Sequence, residues 1–179
     1  MADRFQQAKS PVSAALAGPY GHPFHPILVT VPIGAWVASV VFDIGSRIVA
    51  VPEFLVMGSA WLIAIGVVGA VVAGMIGFLD LLAIPTGTRA FRTGVLHMSL
   101  NLAVTGAFIG NFLWRQAGDN HPGPVAFGPL VLSLISLIVL GVAGYLGGRL
   151  AFQYGVRVAD EATQAEGYHT AVDSQGGRS

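Results

Sequence analysis

The chain contains no cysteine. That excludes disulfides, thiolate-ligated zinc, iron–sulfur ligation and covalent attachment of a c-type haem through this chain. Charge is scarce too. Asp, Glu, Lys and Arg make up 10% of the 179 residues, where an ordinary soluble domain has about 25%. The 9 basic and 9 acidic residues cancel, so composition points to no nucleic-acid partner. There is no phosphate loop, nucleophile elbow, HExxH zinc motif or dinucleotide fingerprint. The first 20 residues lack the long apolar run of a cleavable signal peptide. The first long apolar segment is therefore expected to serve as its own insertion signal.

What the chain does have is four stretches free of Asp, Glu, Lys and Arg, at 27–42, 54–79, 94–114 and 125–148. A helix needs roughly 20 apolar residues to cross the hydrocarbon core of a bilayer. Three stretches meet that outright, and the first does so if it continues past Asp43 and Arg47. The expected fold is all-α, a polytopic membrane protein with four transmembrane helices in an up-down bundle. The helices are expected at about 26–50, 54–83, 91–116 and 125–154. Residues 1–20 read as a polar or amphipathic leader, 21–158 as the transmembrane domain and 159–179 as a disordered polar tail. Pro32 is a candidate kink in the first helix. Arg4, Lys9, Arg89, Arg92, Arg149, Arg157 and Arg178 fall on one side of the membrane, against Arg47 and Arg115 on the other. By the excess of positive charge on the inner side, both termini are expected to be cytoplasmic.

Gly66, Ala70 and Gly74 recur at four-residue spacing, as do Gly106 and Gly110, and Gly144 and Gly148. Small residues in this pattern let membrane helices approach closely, within one bundle or between copies in a homo-oligomer.

Histidine is the only strong nitrogen ligand available. His22 and His25 lie in the Gly21–Pro26 run at the mouth of helix one, and His97 lies near the start of helix three. Helices one and three run in the same direction, so His25 and His97 sit at similar depth. Two imidazoles at one level on different helices of a four-helix bundle form a b-type haem geometry. His22 is then a substitute or neighbouring partner, and Arg89 and Arg92 are candidates to pair with haem propionates. A metal ion held by His25, His97 and Asp80 is a second reading. A third makes the histidines structural, with His97 bonded to Asp80, Asn101 or a backbone carbonyl. Asp43 is expected to pair with Arg47, four residues later on the same helix face, or to serve as a proton or cation site. Asn101, four residues after His97, is expected to make interhelical hydrogen bonds.

The motifs His25-Pro26, Pro32-Ile33, Phe42-Asp43, Gly77-Phe78-Leu79-Asp80, His97 and Tyr154-Gly155 resemble a bacterial membrane family known as domain of unknown function 2231. The resemblance covers roughly residues 20–158. It implies four membrane helices, and by association with Rieske-type and cytochrome c domains in some members it implies a redox role. Members often carry a second histidine after His-Pro; here that place reads Thr30-Val31-Pro32. The function expected from these readings is a b-haem-bearing membrane electron-transfer subunit. The alternatives are an accessory or assembly subunit of a larger membrane complex, and a small transporter or proton path. The lipid bilayer is the one implied partner common to all.

Overall fold

A computed structural model describes residues 2–11, 23–117 and 123–166. Its helices are α1 (Ala2–Lys9), α2 (Phe24–Leu28), α3 (Thr30–Gly45), α4 (Glu53–Leu82), α5 (Arg89–Ala117), α6 (Phe127–Gly148) and α7 (Glu161–Glu166). A π-helical turn, Arg149–Gln153, follows α6 directly. Four helical units are long and apolar enough to cross a membrane: Phe24–Gly45, Glu53–Leu82, Arg89–Ala117 and Phe127–Gln153. The protein is all-α and membrane-spanning. At 30 residues α4 is the longest; at 1.5 Å per residue it measures about 45 Å, against a hydrocarbon core of roughly 30 Å.

The first span differs from the expected 26–50 at both ends. Its helical register is interrupted at Val29, between α2 and α3. Pro32 has no N–H to give the Leu28 carbonyl, while Val29 still donates to His25 and Ile33 to Val29. At the far end the helix stops at Gly45. The Ser46 hydroxyl donates to the Asp43 carbonyl at 2.7 Å, and Arg47 and Ile48 make tightened bonds three residues back. In the segment expected to be disordered, Glu161–Glu166 is helical. Asp160 caps it by accepting from the Thr163 amide and hydroxyl, which holds its carboxyl below the usual range.

The spans pack in a square. The α3 helix neighbours α4 and α6, and α5 neighbours the same two, so α3 and α5 stand on one diagonal. Val41, Val68, Ile138 and other apolar residues face outward, as lipid contact requires. The centre is filled by Trp36, Ile63, Val104 and Phe108. The Trp36 and Phe108 rings stack 4.3 Å apart at 12°. Gly66 makes room for the Trp36 indole, since a Cβ there would collide with it. The Trp36 Nε1–H donates to the Ile63 carbonyl at 3.3 Å, so the ring is fixed in place.

The square is built from two copies of one helical hairpin. Positions 72 residues apart meet across its axis: His25 with His97, Trp36 with Phe108, and Asp43 with Arg115. The sequence keeps traces of the repeat. Gly34-Ala35-Trp36 answers to Gly106-Ala107-Phe108, and Val72-Ala73-Gly74-Met75-Ile76-Gly77 to Val142-Ala143-Gly144-Tyr145-Leu146-Gly147. Packing repeats as well. Phe42 fills the space that a side chain at Gly58 would need, and Trp114 fills that at Gly128. The odd-numbered spans run parallel, as do the even ones, so the pseudo-twofold axis lies along the bundle.

At the end of the axis away from the histidines, Asp43 is fully buried. Its partner is Arg115 and not the expected Arg47. Arg115 reaches both carboxylate oxygens, Nη1 to Oδ1 at 2.8 Å and Nη2 to Oδ2 at 2.6 Å. Ser59 also donates to Oδ1. Asn111 accepts from Arg115 Nε at 2.7 Å and donates to the Pro129 carbonyl and Ser133. All four spans contribute, and the network leaves neither charge without a partner in a medium that would penalise it. Arg47 donates to the Val125 carbonyl at 2.6 Å and lies 3.6 Å over the Phe127 ring. The guanidinium fork on the facing helix can grip both oxygens at once, which a neighbour on the same helix does not match here.

Candidate functional site

The histidine pair occupies the opposite end of the axis. His25 enters from α2 and His97 from the third turn of α5. Their ring centroids are 6.2 Å apart and their planes nearly perpendicular, at 85°. Each imidazole is anchored the same way. His25 Nδ1 lies 2.9 Å from the Ala73 carbonyl of α4, and His97 Nδ1 lies 2.8 Å from the Ala143 carbonyl of α6. A carbonyl can only accept, so Nδ1 carries the hydrogen and, in the neutral ring, Nε2 keeps its lone pair.

A glycine one turn further along cradles each ring. A Cβ at Gly77 would stand 2.7 Å from His25 Cε1, and one at Gly147 would stand 3.0 Å from His97 Cε1. The two Val-Ala-Gly repeats thus provide a carbonyl and a hollow, four residues apart on one helix face. A bare carbonyl in a helix is normally spoken for, but it has a second lone pair for a neighbouring donor. Gly77 and Gly147 lie outside the small-residue pattern expected to pack helix against helix, and they pack against imidazole.

The two rings differ in their further neighbours. Asn101 Nδ2 donates to the His97 carbonyl at 2.8 Å and comes within 3.3 Å of His97 Nε2. Beside His25 stands Asp80, close enough for the two to be electrostatically coupled. Asp80 makes an ion pair with Arg157, Nε to Oδ1 at 3.0 Å. His25 neighbours both His97 and Asp80, yet among the described residues no three His, Cys, Asp or Glu side chains gather as a metal-binding group. Arg89 and Arg92 are exposed in the first turns of α5. Arg92 lies about 7 Å along the helix from His97, at 1.5 Å per residue. His22 lies outside the described residues, as do His121 and His169.

Residues 21–160 match a family profile described as "Predicted membrane protein (DUF2231)". The chain belongs to this family. No curated protein and no solved structure matches. The DUF2231 match spans both hairpins, so the His25 and His97 half-sites fall within one family domain. Two features of the site escape a reading of spans and charges. One is Arg157, remote in sequence from Asp80. The other is the pair of cradles, for which the recurring Val-Ala-Gly pattern was the available signal.

Proposed function

We propose that this protein is a membrane electron-transfer subunit in which His25 and His97 supply the two axial nitrogens of a b-type haem iron. One observation carries the reading: two imidazoles on diagonal spans, each with Nδ1–H committed to a backbone carbonyl, so that in the neutral ring the lone pair lies on Nε2, which for His97 the Asn101 amide approaches at 3.3 Å. Metal-binding histidines characteristically use the other ring nitrogen in this way. The two rings stand 6.2 Å apart, and a pair of imidazoles is a donor set that would hold a haem iron. The donor set therefore fits the group. When bound, haem iron would supply one-electron exchange. The chain's part is to hold both rings at a fixed separation, exclude water below them with the Trp36–Phe108 stack, and offer Arg89 and Arg92 to the propionates. The excess of Lys9, Arg89, Arg92, Arg149 and Arg157 at the histidine end supports a cytoplasmic position for that end in a bacterial inner membrane.

The test is an absorption spectrum of the protein purified in detergent after expression with haem supplied, oxidised and then dithionite-reduced. A Soret band with sharp reduced α and β bands, lost in both His25→Ala and His97→Ala, is the expected result. A featureless spectrum, or a full one in either variant, overturns the assignment.

One observation favours a second reading, an assembly subunit of a larger membrane complex or a homo-oligomer. Gly106 and Gly110 on α5 face outward, with open space where a Cβ would stand. They do not serve packing within this bundle. Migration of the protein as a larger species in mild detergent, abolished by Gly106→Leu, would support that reading, and monomeric migration would remove it.

A further inference from the structure

We propose that residues 154–160, latched by Arg157, form a strap that closes the histidine end of the bundle and controls aqueous access to His25. The inference stands whichever ligand the imidazoles hold.

The strap begins where α6 passes into the π-helical turn Arg149–Gln153. Such turns are uncommon and tend to occur at functional places. Two left-handed residues then redirect the chain, Gly155 at φ +67° and Arg157 at φ +58°. Glycine takes this conformation freely, but for arginine it is strained and persists only when its surroundings hold it. The surroundings here are specific. The Arg157 amide donates to the Ala8 carbonyl of α1 at 3.0 Å. Lys9 Nζ donates to the Ala159 carbonyl at 3.3 Å. The Arg157 guanidinium descends to Asp80, with the two side chains only 6% and 14% exposed. The strap is thus gripped by α1 on one side and by α4 on the other.

The anchor's position gives the device its meaning. Asp80 lies three residues after Gly77, the residue that cradles His25, on the same turn of α4. Releasing Arg157 from Asp80 removes the covering group from the turn against which His25 rests. The left-handed strain at Arg157 favours release, while the ion pair and the Ala8 bond oppose it. A strap balanced in this way opens locally without disturbing the four spans, whose packing lies elsewhere.

The decisive variant is Arg157→Gln, compared in detergent with the wild-type chain, both expressed without supplied haem so that no iron blocks His25 Nε2. Two quantities are read: amide exchange across residues 154–160, and the rate at which diethyl pyrocarbonate acylates His25, located by peptide mass spectrometry. Removing the arginine leaves the Asp80 carboxylate unneutralised beside His25, which by charge alone slows acylation. Faster acylation therefore reports opening and not altered reactivity. Both rates are expected to rise about tenfold or more, as follows from losing a partly buried charge partner. Unchanged exchange overturns the latch. Faster exchange with unchanged His25 acylation overturns its control of access. Asp80→Asn by itself speeds acylation, because it removes the carboxylate beside His25, so it is read by amide exchange at 154–160 with the spans checked by circular dichroism; unchanged exchange there overturns the latch if Arg157→Gln does not insert.

Discussion

Asp43 and Arg115 form a two-pronged ion pair at positions 72 residues apart, the spacing that also separates His25 from His97 and Trp36 from Phe108. Opposite charges thus stand where an exact repeat would place like ones. The duplicated hairpin could not bury two carboxylates or two guanidiniums on its axis. The bundle takes one of each and closes the remaining valences with Ser59 and Asn111.

Removing either partner leaves a buried charge with nothing to offset it. Asp43→Ala and Arg115→Ala are each expected to lower stability by about 3–5 kcal/mol, read as thermal unfolding in detergent. The exchange Asp43→Arg with Arg115→Asp should recover part of that loss, because the axis relates the two positions. No recovery would mean that the Ser59 and Asn111 contacts, and not the charge pairing, determine the arrangement.

The glycine cradles predict an ordered pair of effects. Gly77→Ala puts a Cβ 2.7 Å from the His25 ring, whereas Gly147→Ala puts one 3.0 Å from His97. Overpacking costs about 1–3 kcal/mol, so both variants should melt earlier, Gly77→Ala the more so. Histidine ring resonances in an NMR spectrum of selectively labelled protein should move for the ring nearest each substitution. A shift of neither ring would show that the imidazoles are not held as described.

The stacked pair at the centre is the largest apolar commitment in the interior. Phe108→Ala is expected to cost about 3–5 kcal/mol, and Trp36→Leu to lose both the stack and the Ile63 hydrogen bond. Gly66→Val should approach the Trp36→Leu loss without touching the tryptophan, since it fills the indole's space. Denaturation midpoints in one detergent would rank the three.

The same stack separates the polar ends. Trp36, Ile63, Val104 and Phe108 are buried and offer no titratable group between the histidines and Asp43. Proton flux in proteoliposomes carrying a pH-sensitive dye is therefore expected to match protein-free vesicles. A flux sensitive to Asp43→Asn would contradict the dry centre.

The four spans were legible because lipid imposes a crude requirement: some 20 residues without charge, whatever their order. Which polar groups meet was legible only in part. The similar depth of His25 and His97 followed from parallel spans, and their rings stand 6.2 Å apart. The partner of Asp43 did not follow, because nearness in sequence favoured Arg47 while the better geometry lay on another helix. Arg157 was counted as one more basic residue near a helix end. Its pairing with Asp80 depends on how the chain turns after the π-helical residues, which no periodicity encodes. The repeat was present in the text of the chain, in Gly-Ala-aromatic and Val-Ala-Gly at matching places, but small residues are common in membrane helices and carry little signal alone.

By itself, then, the sequence determined that this chain crosses a membrane four times and which residues lie at each level, because hydrophobicity and helical rise act along the chain. The tertiary structure alone decided which helices are diagonal, that two hairpins are related by an axis, and that the axis carries an imidazole pair at one end and an ion pair at the other. Those are matters of rotation about each helix, fixed by the fit of indole into glycine and imidazole onto carbonyl, and such fits exist only between segments already brought together.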